Sequence, residues 1–264
     1  MTFGRWMRPS NFSCKTAKVP VGYDWSMNAR APSCGRLFSP QRYWTQVGAA
    51  ATPQQLRQAF ACWGLPGRVR VDNGAPWGST GDWPTVLALW LLGLGIEMVW
   101  NPPRQPQKNG VVECSQGTAK RWAEPGQCVS VVQLQQRLDE ADALQRDAYP
   151  YVGQRSRSQV WPQLRHSGRS YATTREAKQW QLQRVLQHLG GYAVMRRVDC
   201  SGKVSLYDRL RYVGVAQAGR WVAVLFDAER SEWVFADEAG RQIRSQPAEE
   251  MQAERIRVLW AEPR

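Results

Sequence analysis

The sequence predicts an α/β core followed by a small all-β domain. Two observations carry that reading. Between Arg68 and Trp122, apolar runs with strand periodicity alternate with helical patterns in the order strand, turn, helix, strand, loop, helix. From Tyr192 onward the texture changes to short β-type runs separated by turn residues such as SGK and AGR. Residues 1–50 behave differently: prolines and glycines are scattered through them, and no period of 2 or 3.6 is sustained.

Taken in order, Thr52 caps a first helix, with Pro53 at its first position. Leu56, Phe60 and Trp63 share its apolar face, and Gly64 and Pro66 end it. Val69 and Val71 then alternate with arginines in a strand that ends at Asp72. Asn73-Gly74 turns the chain beside that acid, and Trp77 packs against the loop. The Leu/Trp-rich run 85–94 reads as a buried helix, and IEMVW (96–100) as a second strand. Pro102, Pro103 and Pro106 restrict the following loop, which runs through Lys108 and Asn109 to a flexible point at Gly110. A helix over 111–122 carries Glu113 in its first turn, with Gly117 and Lys120 near the same face.

Residues 130–147 form an amphipathic helix with Val132, Leu134, Leu138 and Leu144 on its apolar side, closing the core. Residues 150–190 are a basic helical linker, its second half a helix ending at Gly190-Gly191. Such a stretch either tracks a DNA backbone through phosphate contacts or is a plain solvated linker. YAVMRRVD, KVSLYDRLRYVGV, RWVAVLFDAE, EWVFADEAG and RQIRSQ are five strands of a small antiparallel barrel. The expected domains are therefore 1–50, aberrant and poorly ordered; 51–149, the α/β core; 150–190, the linker; 191–246, the barrel; and 247–264, a peripheral helix and tail.

The composition narrows the function. The 264 residues suffice for one or two domains with real cores. A net charge of +13 favours a polyanionic partner, nucleic acid first. The six cysteines form no CxxC pair, and only His166 and His188 accompany them, which argues against a zinc site or a disulfide framework and for a reducing cytoplasm. No apolar run approaches the roughly 20 residues that span a bilayer, so no membrane role is expected.

Asp72 at a strand tip and Glu113 in a helix's first turn suit metal chemistry. A strand-end carboxylate is held rigidly, and Mg²⁺ takes oxygen ligands from one or two carboxylates while leaving places for phosphate oxygens. Two unrelated surface acids in an ordinary α/β unit remain the plain alternative. VDNG at the end of a strand, followed in order by NPP…PQKNGVVE entering a helix, resembles the catalytic core of the DDE transposases and retroviral-type integrases. The similarity runs from about residue 53 to 125.

The resemblance implies an RNase H-like core, incomplete at its N-terminus, that joins or cuts DNA strands with two Mg²⁺ or Mn²⁺ ions. It matches Asp72 to the second acidic ligand and Glu113 to the third. It makes 101–110 a mobile active-site loop and gives Lys108, Asn109, Lys120 and Arg121 contacts to DNA. The implied partners are double-stranded DNA, as transposon ends and target, and further copies of the chain, in a cytoplasmic and nucleoid-associated setting. The C-terminal strands, LYDRLRYVG above all, resemble the SH3-like domain of Mu-type transposases.

The first acid of that set is missing from its place. Asp24 is the sole acid before Asp72, and its setting, VGYDWSM, is no apolar strand end. The alternative reading frame supplies one. Trp6-Met7 is necessarily TGGATG, which contains GAT, an Asp codon, in the shifted frame, and allowed codons for Phe3 to Trp6 give Trp-Gln-Val before it. Residues 1 to about 50 therefore read as out of frame, with the proper frame restored near Ala49–Pro53. The chain as written is then expected to hold metal poorly and to be inactive. Two rivals remain: a non-catalytic DNA-binding truncation, and an active enzyme that uses Asp24 as its first ligand.

Overall fold

The computed structural model describes residues 51–78, 81–105, 110–162 and 166–258. Asp24, Lys108, Asn109 and residues 1–50, the stretch read as out of frame, lie outside them. The described chain is mixed α/β and divides into two compact units. One draws on Met1–Thr80 and Ile96–Glu176, the other on Gly81–Gly95 and Ala177–Arg264. Among the described residues, no helix is long and apolar enough to cross a membrane.

In the first unit, α1 (Ala51–Trp63) buries Leu56, Ala59 and Phe60. Thr52 is not its cap: the helix already includes Ala51, and the buried Thr52 hydroxyl meets no hydrogen-bond partner among the described residues. Gly64 ends the helix at φ +77°, its N–H donating to the Phe60 carbonyl at 2.8 Å. A side chain there would also fall 2.3 Å from Ser167 Oγ. β1 (Arg68–Val71) turns Val69 and Val71 inward and Arg68 outward, and pairs in parallel with β2 (Glu97–Trp100). α3 (Gly110–Ala123) packs on α4 (Val131–Ala143) through Ala119, Ala123, Cys128, Leu134 and Leu138.

Ser130 caps α4, accepting from the Gln133 N–H at 3.1 Å. Two of its expected core residues point outward instead. Val132 is 78% exposed because it lies about 200° around the helix from Leu134. Leu144 is 48% exposed where the α-helix gives way to a π turn, Leu144–Ala148, whose extra residue rotates the apolar side away. A hairpin of β3 (Pro150–Val152) and β4 (Arg155–Ser156) and a short α5 (Arg157–Val160) follow.

The segment read as a linker is folded structure. The Leu65 N–H donates to the Arg169 carbonyl at 2.8 Å, and Arg169 Nη1 donates to the Pro66 carbonyl at 2.7 Å. Arg57 makes two 2.8 Å bonds to the buried Glu176 carboxylate, which also accepts from the Tyr171 hydroxyl. Tyr171 stands edge-on to Phe60. This strap over α1 belongs to the first unit, and the unit boundary falls after Glu176 rather than at 149 or 190.

The second unit contains the apolar helix α2 (Val86–Gly93), which the sequence reading placed in the core domain. It is buried at every position from Leu87 to Gly93 and capped by Thr85. Two short helices run over the expected single one: α6 (Glu176–Gln179), at the end of the strap, and α7 (Leu182–Leu189). The chain breaks between them because Trp180 leaves the helix to dock on α2. Its Nε1 donates to the Trp90 carbonyl at 3.0 Å, and the Gln181 N–H donates to the Gly93 carbonyl at 2.9 Å.

The sheet of this unit is antiparallel, in the order β10-β9-β8-β5, with β5 (Ala193–Arg197), β8 (Trp221–Asp227), β9 (Glu232–Ala236) and β10 (Gln242–Pro247). KVSLYDRLRYVGV is not one strand but a hairpin of β6 (Lys203–Leu206) and β7 (Arg209–Tyr212). Tyr207 and Asp208 both take positive φ, 48° and 61°, as the two-residue turn of a twisted hairpin requires. Tyr207 is held there by its hydroxyl, which donates to the Pro84 carbonyl at 2.8 Å, and by its ring against Trp233. The final α8 (Ala253–Arg257) and the approach to it are not peripheral, since Glu250, Met251 and Ile256 are buried.

Candidate metal and nucleic-acid site

β1 places Asp72. Inward Val69 and Val71 anchor the strand, and the ladder continues past its end, the Asn101 N–H donating to the Val71 carbonyl at 2.8 Å. Asp72 is half-buried, and its Oδ1 accepts the Gly74 N–H at 3.2 Å. Asn73 Nδ2 donates to the Asn101 carbonyl at 2.7 Å, which ties the turn after β1 to the end of β2. Trp77 closes this turn: it is buried, its N–H donates to the Gly74 carbonyl at 2.9 Å, and its carbonyl accepts Trp100 Nε1 at 3.1 Å. Gly74 does not take a positive φ, so the turn rests on the Asp72 carboxylate and the Asn73 amide rather than on glycine's freedom.

The loop from Asn101 therefore leaves the same carboxyl edge of the parallel pair that carries Asp72. Ligands of parallel α/β units gather at that edge. The loop leads into α3, where Glu113 is the fourth residue. Seven positions on, Lys120 is half-buried, and Arg121 is exposed, its Nη2 donating to Thr118 Oγ1 at 3.4 Å. Gly117 is exposed and has nothing within 4 Å of where a side chain would start.

The donor chemistry fits a hard divalent cation in part. Carboxylate oxygens are what Mg²⁺ prefers, and one or two of them suffice when substrate phosphates complete the shell. Among the described residues, no group of three or more His, Cys, Asp or Glu side chains is placed to hold a metal by itself. Sequence reasoning overlooked Asn101, 96% buried at the end of β2, which Asn73 joins to the turn. The signal was present: an asparagine stands within two residues of each strand end, in VDN and in WNP.

The basic residues of the former linker divide. Arg157, half-buried, donates to the Gln145 carbonyl at 3.0 Å and lies over the Tyr151 ring, and desolvation lowers its pKa. Arg155, Arg175, Lys178 and Arg184 are exposed. The exposed pair Arg68–Glu97, at 2.8 Å, contributes little to stability.

No known family model matches the chain. Among solved structures, it is similar to one described as a cryo-EM structure of the simian T-cell lymphotropic virus intasome in complex with PP2A regulatory subunit B56 gamma. The sequence identity is 15%, the TM-score 0.37, and the match covers 93% of this chain and 79% of that chain. A TM-score of that size establishes no common fold.

Proposed function

We propose that this chain is a DDE transposase- or integrase-type protein that binds double-stranded DNA in integration and transposition. On this reading β1, β2, α3 and α4 belong to an RNase H-like core that lacks its N-terminal part, and β5 to β10 form an SH3-like barrel. One observation supports it above the rest: Asp72 directly follows β1, and the loop toward Glu113 departs at Asn101, directly after the paired β2 and tied to the Asp72 turn by Asn73. Two motifs found separately in the sequence are thereby linked through one sheet edge.

Asp72 and Glu113 would hold Mg²⁺ or Mn²⁺, and the bound ion supplies Lewis-acid activation of an attacking oxygen and neutralises charge at a phosphodiester. Lys120 and Arg121 on α3, and Lys108 and Asn109 in the loop, bind and orient DNA phosphate. Without an in-frame first acid the metal set lacks a ligand, so strand transfer is impaired. The second reading is a non-catalytic DNA-binding form of such an enzyme, favoured by the setting of Asp24, the sole acid before Asp72, which is no apolar strand end.

A strand-joining assay in Mn²⁺ with a duplex bearing a free 3′-hydroxyl tests the choice. Joining at the level of the Asp72→Ala variant, with DNA still bound, supports the impaired form. Joining that Asp72→Ala abolishes overturns it and returns catalysis to this chain, with Asp24 then the candidate for the missing ligand. A chain that neither joins nor binds duplex DNA contradicts the whole reading.

A further inference from the structure

Against a net charge of +13, one depression of the second unit is lined, among the described residues, by acids and by no base. Met195 of β5, Trp221 and Ala223 of β8, and Asp237, Glu238 and Gly240 of the turn after β9 enclose about 690 Å³. That volume is in the range of ligand sites. Trp221 is 51% exposed and Met195 47%, at outward sheet positions that ordinarily carry polar side chains. The apolar surface continues along β8, where Ala223 is half-buried and Leu225 is 37% exposed. Contiguous exposed apolar surface of this kind marks an interaction site.

The charges around it are sorted. The Asp237 carboxylate is engaged within its own turn: Oδ1 accepts the Ala239 and Arg241 N–H groups at 2.9 Å, and Oδ2 accepts Arg241 Nε at 2.9 Å. The Asp237 N–H also donates to the Arg241 carbonyl at 2.9 Å, so the turn is held in one shape. Glu238 is left as the exposed carboxylate of the lining, and it has no ion-pair partner among the described residues. Arg197, opposite Trp221 on β5, does not line the depression, and its Nε donates to the Gly219 carbonyl at 3.2 Å. The site thus offers an exposed indole and a free carboxylate above an apolar floor. An indole attracts a cation over its face, and a guanidinium suits it well because it is planar and weakly hydrated. A carboxylate then accepts the guanidinium N–H groups in charge-assisted hydrogen bonds. A phosphodiester backbone would meet Glu238 and no base, which disfavours nucleic acid as the occupant.

We infer that this depression docks an extended segment of a partner protein, with an arginine side chain laid against Trp221 and reaching Glu238. The spacing of the face sets the rest of the segment. Trp221 and Leu225 stand four residues apart on β8, about 13 Å along the strand. They bracket the small Ala223, which leaves a notch beside its cross-strand neighbour Met195. In an extended chain every second side chain faces the same way. An arginine at Trp221 therefore puts the residue two positions on over the Ala223 notch and the residue four positions on over Leu225. Bulky apolar side chains suit both places, and Ala193, the small cross-strand neighbour of Leu225, leaves room for the second. The pattern recognised is arginine, any residue, apolar, any residue, apolar.

The probe is a fluorescein-labelled peptide, Gly-Arg-Ser-Leu-Ser-Leu-Gly, added to the full chain. Binding is followed by anisotropy and by the Met195 methyl resonance, assigned through its loss in Met195→Leu. A Kd of about 0.1 mM is expected, since an open depression leaves much of so short a peptide in solvent. The same peptide with glutamate in place of arginine binds at least tenfold more weakly. Trp221→Ala weakens the arginine peptide about tenfold. The decisive arm reverses the charge: Glu238→Arg weakens the arginine peptide and prefers the glutamate peptide. Glu238 is exposed in a turn, so this arm stands even where Trp221→Ala disturbs the fold. Four results overturn the inference: no binding up to several millimolar peptide, arginine and glutamate peptides bound alike, a Met195 methyl unmoved by bound peptide, or a preference that Glu238→Arg does not reverse. A Met195 methyl shifted by duplex DNA and not by peptide also overturns it and assigns the face to nucleic acid. A shift that grows with protein concentration alone, and not with peptide, overturns it in favour of a second copy. None of these outcomes depends on whether the chain joins DNA strands.

Discussion

Removal of the Glu250 carboxylate is the sharpest test of how the second unit is held together. Glu250 has no solvent exposure and accepts from Trp233 Nε1 at 2.7 Å and from Arg211 Nη2. Arg211 is itself buried, and its Nη1 donates to the Pro247 carbonyl at 2.9 Å. The cluster fixes the 247–251 segment onto β7 and β9. In Glu250→Ala the guanidinium keeps its charge in a buried place with no counter-charge, and the indole loses its acceptor. Breaking a buried pair from one side costs about 3–5 kcal/mol. At an m-value of about 1.5 kcal/mol/M, the unfolding midpoint in urea falls by roughly 2 M or more.

The companion variant Arg211→Met/Glu250→Leu removes both charges together, along with Arg211 Nε, which has no partner among the described residues. Its stability is expected to recover most of that loss, short of the wild type by about 1–3 kcal/mol for the Trp233 indole left without its acceptor. The assay is urea titration followed by tryptophan fluorescence and circular dichroism, with the two units treated as separate transitions. A single variant destabilised by less than about 1 kcal/mol refutes the reasoning, as does a double variant no better than the single.

Three further outcomes follow from the same structure. Gly93→Ala sets a methyl 2.0 Å from Trp180 Nε1, and the displaced indole costs the second unit about 1–3 kcal/mol, read as a lower thermal midpoint. Burial lowers the His188 pKa below 6.5, so below that pH the unfolded state binds more protons than the folded one. The His188 contribution to stability is therefore constant above about pH 7, is lost as pH falls from 6.5 to the folded-state pKa, and disappears in His188→Phe, which flattens a pH series of thermal midpoints. Lys120→Ala weakens duplex DNA binding about equally for all sequences and lowers the slope of log K against log salt by about one; an unchanged slope removes Lys120 from the DNA interface.

Local order was legible where the chain punctuates itself: Gly64 and Asp72-Asn73 mark boundaries that α1 and β1 respect, whereas Thr85 and Ser130, read as parts of their helices, are the caps of α2 and α4. What escaped was set at a distance. Arg57 meets Glu176 across 119 positions, and that pair converts an apparent linker into a strap. Trp180 reaches Trp90, which breaks one helix into two and carries the Leu/Trp-rich helix into the second unit. The hairpin turn Tyr207-Asp208 has none of the glycine or asparagine that announces such turns; it is held by Tyr207's own burial and its bond to Pro84. At the candidate site, the strand-end position of Asp72 and the helical position of Glu113 followed from periodicity and turn residues. The Asn73–Asn101 tie did not, because a side-chain amide bonding a carbonyl one strand away leaves no periodic trace.

The most direct measurement of the central claim is Mn²⁺ binding to the full chain, followed by isothermal titration and by the electron paramagnetic resonance signal of the free ion, with and without duplex DNA. Asp72 and Glu113 with DNA phosphate form the metal site on this account. Binding is then weak without DNA, tightens at least tenfold when a duplex is present, and is lost in both Asp72→Ala and Glu113→Ala. Mn²⁺ binding that neither substitution changes, or that DNA does not strengthen, contradicts it.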